Sequence, residues 1–219
     1  MRVVILGTGT DVGKTYVTAC LARGLRELAP VLALKPIESG VEKGRSGDAG
    51  LIAEAAGHAP VLSPWRFARG VSPHLAAREA GVAIDVAQVA SWVGEEERRA
   101  GSPTTLVELA GGAFSPLADG VGNVDLALAL QPALWLLVAP DALGVLHDVV
   151  ATLRASPRAP DAVVLSAARV EDQSSGSNAA ELTRLGIVQV LEVVKRGETG
   201  CPQTVDWVVR HQTYKSGPV

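Results

Sequence analysis

Val3-Val4-Ile5-Leu6-Gly7-Thr8-Gly9-Thr10-Asp11-Val12-Gly13-Lys14-Thr15 opens the chain and decides how the rest is read. The first four residues are apolar on both faces of an extended strand, the pattern of a strand buried inside a parallel sheet. A Gly/Thr-rich stretch breaks that run, and Val17, Leu21, Leu25 and Leu28 then recur on one face of a helix. Strand, glycine-rich loop and helix in this order, with Gly-Lys-Thr at the turn, read as a phosphate-binding loop, the alternative being a Gly-rich turn that merely connects strand to helix. Gly13 lets backbone approach an anion, and successive N–H groups at the helix N-terminus solvate phosphate oxygens. Lys14 offers a point charge to the β/γ-phosphates, and the Thr15 hydroxyl can ligate Mg²⁺. The common spacing GxxxxGK[ST] requires glycine at position 8, which is Thr8 here; glycines stand at 7 and 9, so the loop is one residue longer. The dinucleotide pattern GxGxxG is not matched.

Further apolar runs lie at Val31 to Leu34, Thr105 to Val107, Leu134 to Val138, Ala162 to Leu165 and Val188 to Val194. Most are separated by segments of helical period, which predicts a parallel α/β sheet. Helices are expected at about Asp48 to Ala56, His74 to Ala80 and Val86 to Arg99, and loops at Val41 to Gly47 and Ser156 to Pro160. No Ser/Pro-rich linker divides the 219 residues, so one domain spanning 1–219 is expected, with about 208–219 as a frayed tail. At 47% hydrophobic and 20% charged the chain can bury a core, yet only eight residues are aromatic, so Ala, Val and Leu must fill it. A net charge of −3 offers no footprint for nucleic acid, and no apolar run approaches the length of a membrane span. Cys20 and Cys201 form no CxxC or metal-ligand cluster, and no basic n-region with an apolar stretch opens the chain. A reduced, cytoplasmic protein is expected.

In an open parallel sheet, ligands sit at the carboxyl ends of the strands. Lys35 follows the second run directly, in Lys35-Pro-Ile-Glu-Ser39-Gly40, as a second cation for a phosphoryl group or as a surface lysine. Glu108 ends the third run before Leu109-Ala-Gly111-Gly112, where an acid suits Mg²⁺. Asp48 is either a third metal ligand beside Thr15 and Glu108 or a helix N-terminal cap. Leu143-Gly144-Val145-Leu146-His147 opens a helix whose free N–H groups could hold a carboxylate, or is simply a helix start. The four histidines show no metal-ligand spacing, and Glu95 to Arg99 reads as a solvated helix face with local ion pairs.

Together with Ser72-Pro-His74 and Val107-Glu-Leu-Ala-Gly-Gly-Ala-Phe-Ser-Pro-Leu117, these motifs resemble dethiobiotin synthetases in order and spacing over roughly residues 3 to 150. The resemblance implies a three-layer P-loop NTPase-like α/β fold with a mainly parallel central sheet. It implies that CO₂ adds to one amine of 7,8-diaminononanoate to give a carbamate, that ATP phosphorylates the carbamate, and that the second amine closes the ring. Lys14 and Lys35 would be catalytic, and Asp11, Val12, Gly13, Lys14, Thr15, Tyr16, Asp48, Glu108 and Gly111 would bind ATP. Thr15, Asp48 and Glu108 would hold Mg²⁺. Ser39 would hydrogen-bond the substrate, and a homodimer partner would offer the amides of Gly144, Val145 and Leu146 to the substrate carboxylate. The sequence departs from the family pattern at Leu109, usually glycine, at Ser166-Ala167, often Asn-Asp for adenine, and at Val194-Lys195-Arg196, often Pro-Trp-Leu. Relaxed adenine selectivity is expected. A partitioning-type P-loop switch ATPase is the alternative, disfavoured because Thr8 to Val12 carry no lysine.

Overall fold

The computed structural model describes residues 1–214. In chain order the elements are β1 (Arg2–Gly7), α1 (Lys14–Arg26), β2 (Val31–Leu34), β3 (Ile37–Ser39), α2 (Gly47–Ala56), β4 (Trp65–Phe67), α3 (Pro73–Glu79), α4 (Val86–Ala100) and β5 (Thr104–Glu108). They continue with β6 (Pro116–Ala118), β7 (Val121–Gly122), α5 (Asn123–Ala129), β8 (Leu134–Asp141), α6 (Val145–Ala155), β9 (Ala162–Ala167), α7 (Asn178–Arg184), β10 (Val190–Val194) and α8 (Pro202–Tyr214).

Six strands form one sheet in the order β10-β9-β8-β1-β5-β2, every neighbouring pair parallel. Alternation along β1 builds the layers: Val4 and Leu6 join a cluster with Val89, Leu126, Val149 and Leu182 on one face. Val3 and Ile5 point the other way, to Leu21, Ile52 and Val208. The first face is therefore covered by α4, α5, α6 and α7, and the second by α1, α2 and α8, which is a three-layer α/β fold. The chain leaves β1 toward β2 and β5 on one side and reaches β8 on the other, so a crevice opens at the carboxyl end of β1.

Several details differ from the sequence expectation. Helix α1 stops at Arg26, leaving Leu28 65% exposed rather than on the apolar face. Two short pairs, β3–β4 and β6–β7, stand outside the main sheet; strands of two or three residues carry too little periodicity to be read. Glu97 bonds Arg2 at the start of β1, so that part of the charged run is a long-range tie and not a local pair. Nor is the region from 208 onward frayed as far as it is described, because α8 runs to Tyr214. Thr204 donates its N–H to Glu192 Oε1 at 2.7 Å, satisfying a first-turn amide, and Val205, Trp207 and Val208 are buried on the sheet. Residues 215–219 of the expected tail lie outside the described residues. Among the described residues no helix is long and apolar enough to cross a membrane.

Candidate active site

The crevice is a cleft of about 870 Å³. Thr10 to Tyr16 cross its middle, Lys35, Glu38, Ser39, Asp48, Ser72 and Glu108 line one end, and Ser166 to Arg169 with Arg196 and Gly197 line the other. Position 13 can only be glycine: its φ is 93°, and a Cβ there would lie 2.2 Å from Ser166 Oγ at the end of β9. Asp11 also takes a left-handed φ of 58°, and its exposed carboxylate meets Arg169 at 3.3 Å. Buried Lys14 folds back over the loop and donates to Gly9 O at 2.9 Å. Burial, aided by the neighbouring Lys35 charge and opposed by Glu108, lowers its pKa to about 8. The Tyr16 hydroxyl donates to Lys195 O at 2.9 Å, fixing the loop after β10 against α1.

At the other end, the paired ends of β5 and β2 and the first turns of α1 and α2 bring four groups to one point. Glu108 closes β5 beside β1, and its side chain is fully buried. Its Oε1 accepts from Thr15 Oγ1 at 2.7 Å and from Lys35 Nζ at 2.8 Å. Lys35, just beyond β2, also donates to Asp48 Oδ2 in the first turn of α2. Burial works against the Lys35 charge, but the Glu108 and Asp48 carboxylates outweigh it and hold its pKa above the ordinary lysine range. Glu108 Oε2 is buried without a hydrogen-bond partner. Thr15, Asp48 and Glu108, expected as metal ligands, thus lie together around Lys35, and Asp48 pairs with Lys35 as well as sitting at a helix start.

Gly111 and Ser39 line the same cleft. The turn at 110–112 is pinned by Asn123 Nδ2, which donates to Ala110 O and, at 2.8 Å, to Gly112 O. Leu109 is accommodated in the core with 1% exposure, its N–H on Ile5 O at 3.0 Å, and does not line the cleft. Val12 lines the cleft. Gly144, Val145 and Leu146 lie outside this chain's cleft at the start of α6; the Val145 N–H already donates to Ala142 O at 3.1 Å. Asp172 Oδ2 accepts from Leu143 N at 2.8 Å and so holds this turn; hydrogen bonds from Ser174 and Leu143 draw the Asp172 pKa down to about 2. Sequence reading missed Glu38, which lines this cleft, and Arg66 paired with it, although an acid alternating with Ile37 and Ser39 after Lys35 was a visible signal.

A parallel sheet between two helical layers, with a glycine-rich loop, a loop lysine and a buried carboxylate beside a threonine, defines a P-loop nucleotide-binding protein. The profile of the family described as "AAA domain" matches residues 1–198. The chain is 36% identical to the ATP-dependent dethiobiotin synthetase BioD of Rhodopirellula baltica, covering 86% of this chain and 82% of that one. It is also 36% identical to that of Methylobacterium nodulans, covering 88% and 92%. It belongs to the dethiobiotin synthetase family, a family of ATP-dependent ligases. The fold alone is shared with chloroplast FtsY from Physcomitrella patens, at a TM-score of 0.63 and 16% identity over 94% of this chain and 64% of that one.

Proposed function

We propose that this chain joins CO₂ to 7,8-diaminononanoate with ATP, giving dethiobiotin, ADP and phosphate. The observation that supports this reading above others is the placing of two lysines in one cleft of about 870 Å³, Lys14 in the loop and Lys35 hydrogen-bonded to the buried Glu108 carboxylate. Loop amides and Lys14 hold the β- and γ-phosphates. Lys35 faces the same edge and bridges γ-phosphate and carbamate, neutralising charge that grows as the phosphoryl group transfers. The carbamate attacks the γ-phosphorus, ADP leaves, and the second amine then attacks the carbamic-phosphoric anhydride and expels phosphate. Ser39 orients the diamine within the cleft. No residue forms a covalent bond to substrate; positioning and fixed charge supply the catalysis.

The donor set fits a hard divalent cation: an orphaned buried carboxylate oxygen at Glu108 lies beside the Thr15 hydroxyl and the half-exposed Asp48 carboxylate. Thr15, Asp48 and Glu108 would hold Mg²⁺, which when bound supplies charge neutralisation at the phosphates. The protein acts as a homodimer, the partner presenting Gly144, Val145 and Leu146 to the substrate carboxylate at a helix N-terminus.

Phosphate release with Mg·ATP, measured with and without the diamine and bicarbonate, tests the reading. Release that requires both supports it, and release indifferent to the diamine would identify a nucleotide switch instead. Lys35→Ala should lower kcat by about 10²-fold or more, with an unchanged kcat removing the lysine from the mechanism.

A further inference from the structure

The β3–β4 pair sits apart from the main sheet, and its register sets Glu38 directly opposite Arg66. Both side chains reach the same segment, the turn that leads into α2. Glu38, only 3% exposed, accepts the Asp48 N–H on Oε1 at 2.5 Å. Its Oε2 lies 3.4 Å from Arg66 Nε, and Arg66 Nη2 donates to Arg45 O at 2.7 Å. Gly47 fills the space between them: its φ is 61°, and a Cβ there would lie 2.5 Å from Glu38 Oε1.

The grip ends at Asp48, whose carboxylate turns toward Lys35. Ser46, the residue before α2, makes no side-chain cap, so one unsatisfied first-turn amide of that helix is met by Glu38 from a different element. A carboxylate buried this way is costly unless charged or N–H partners meet it. Burial indeed raises the Glu38 pKa, against the pull of Lys35 and the Asp48 N–H. The cost falls on a group that fixes the backbone of a single cleft residue.

We propose that Glu38, oriented by Arg66, is the positioning residue that sets the Asp48 carboxylate and thereby the cation site at the phosphoryl end of the cleft. This rests on the reading of Asp48 as a metal ligand and adds the outer layer that aims it. Outer-layer partners of metal ligands change metal affinity by about 10–100-fold when removed.

The test is the affinity for a non-hydrolysable ATP analogue, measured with saturating Mg²⁺ and again with EDTA; the ratio isolates the metal's contribution. Glu38→Ala should cut that ratio by about tenfold or more while leaving the EDTA affinity unchanged. Glu38→Gln should recover most of it, since its Oε1 still accepts the Asp48 N–H, and Arg66→Ala should fall between. A ratio equal to wild type in Glu38→Ala and Arg66→Ala, or both affinities falling together, overturns the proposal. Should Glu38→Ala fail to fold, Arg66→Ala decides alone. A wild-type ratio of one removes Asp48 as a metal ligand and the proposal with it, whereas dethiobiotin formation, assayed separately, reports on the proposed reaction.

Discussion

At the scale of single residues, the two lysines of the site carry opposite electrostatics. Lys35 is held charged by Glu108 and Asp48, whereas Lys14 is weakened by its own burial, to a pKa of about 8. The charged form of Lys14 is the one that binds phosphate, and it predominates below pH 8 and is lost above it. Binding of ADP without metal should therefore weaken about tenfold between pH 7 and pH 9, because only about a tenth of the lysine remains competent at the upper value. A flat pH profile would show that Lys14 keeps its proton throughout. At the far end of the cleft the polar side chains are Ser166, Arg169 and Arg196. Ser166 is turned against Gly13, and the two guanidiniums can only donate. An amide that both donates and accepts, the group best suited to an adenine edge, does not line this end among the described residues. We expect kcat/KM for ATP to exceed those for CTP and GTP by less than about 100-fold, and a larger preference would show that backbone groups read the base.

At the scale of elements, β5 and β2 lie side by side with Leu34 paired to Val107, and this register brings Lys35 to Glu108. Neither strand end would be a site alone. Helix α8 shows how an element without a clear pattern is made by its surroundings. Glu192 of β10 meets its first turn, Trp207 lies 8% exposed against the sheet, and the Trp207 and His211 rings sit 4.6 Å apart. Trp207→Ala should lower the free energy of unfolding by about 3 kcal/mol in a urea titration, the low end for a large buried aromatic. A loss below about 1 kcal/mol would mean that the helix contributes little to the core.

At the scale of the whole molecule, the start of α6 does not line its own cleft, and Leu143 beside it is 84% exposed. If this turn completes a neighbour's site in a homodimer, Leu143 is covered there. Leu143→Arg should then shift light-scattering mass from dimer toward monomer and raise KM for the diamine more than KM for ATP. A monomeric wild-type protein would sink the shared-site reading.

The sequence alone determined the strand-loop-helix at the N-terminus and the alternation of buried strands with helices, and it named Lys14, Thr15, Lys35, Asp48 and Glu108 as candidates, because periodicity and motif spacing are local properties of a chain. Leu109 could be named as a departure but not judged, since only packing shows that its side chain enters the core while Glu108 faces the cleft. The two short strand pairs, the docking of α8 and the Glu38–Arg66 grip on Asp48 were decided by tertiary structure. Each depends on partners distant in sequence, whose approach is set by the register of a parallel sheet and by which buried polar groups find a hydrogen bond.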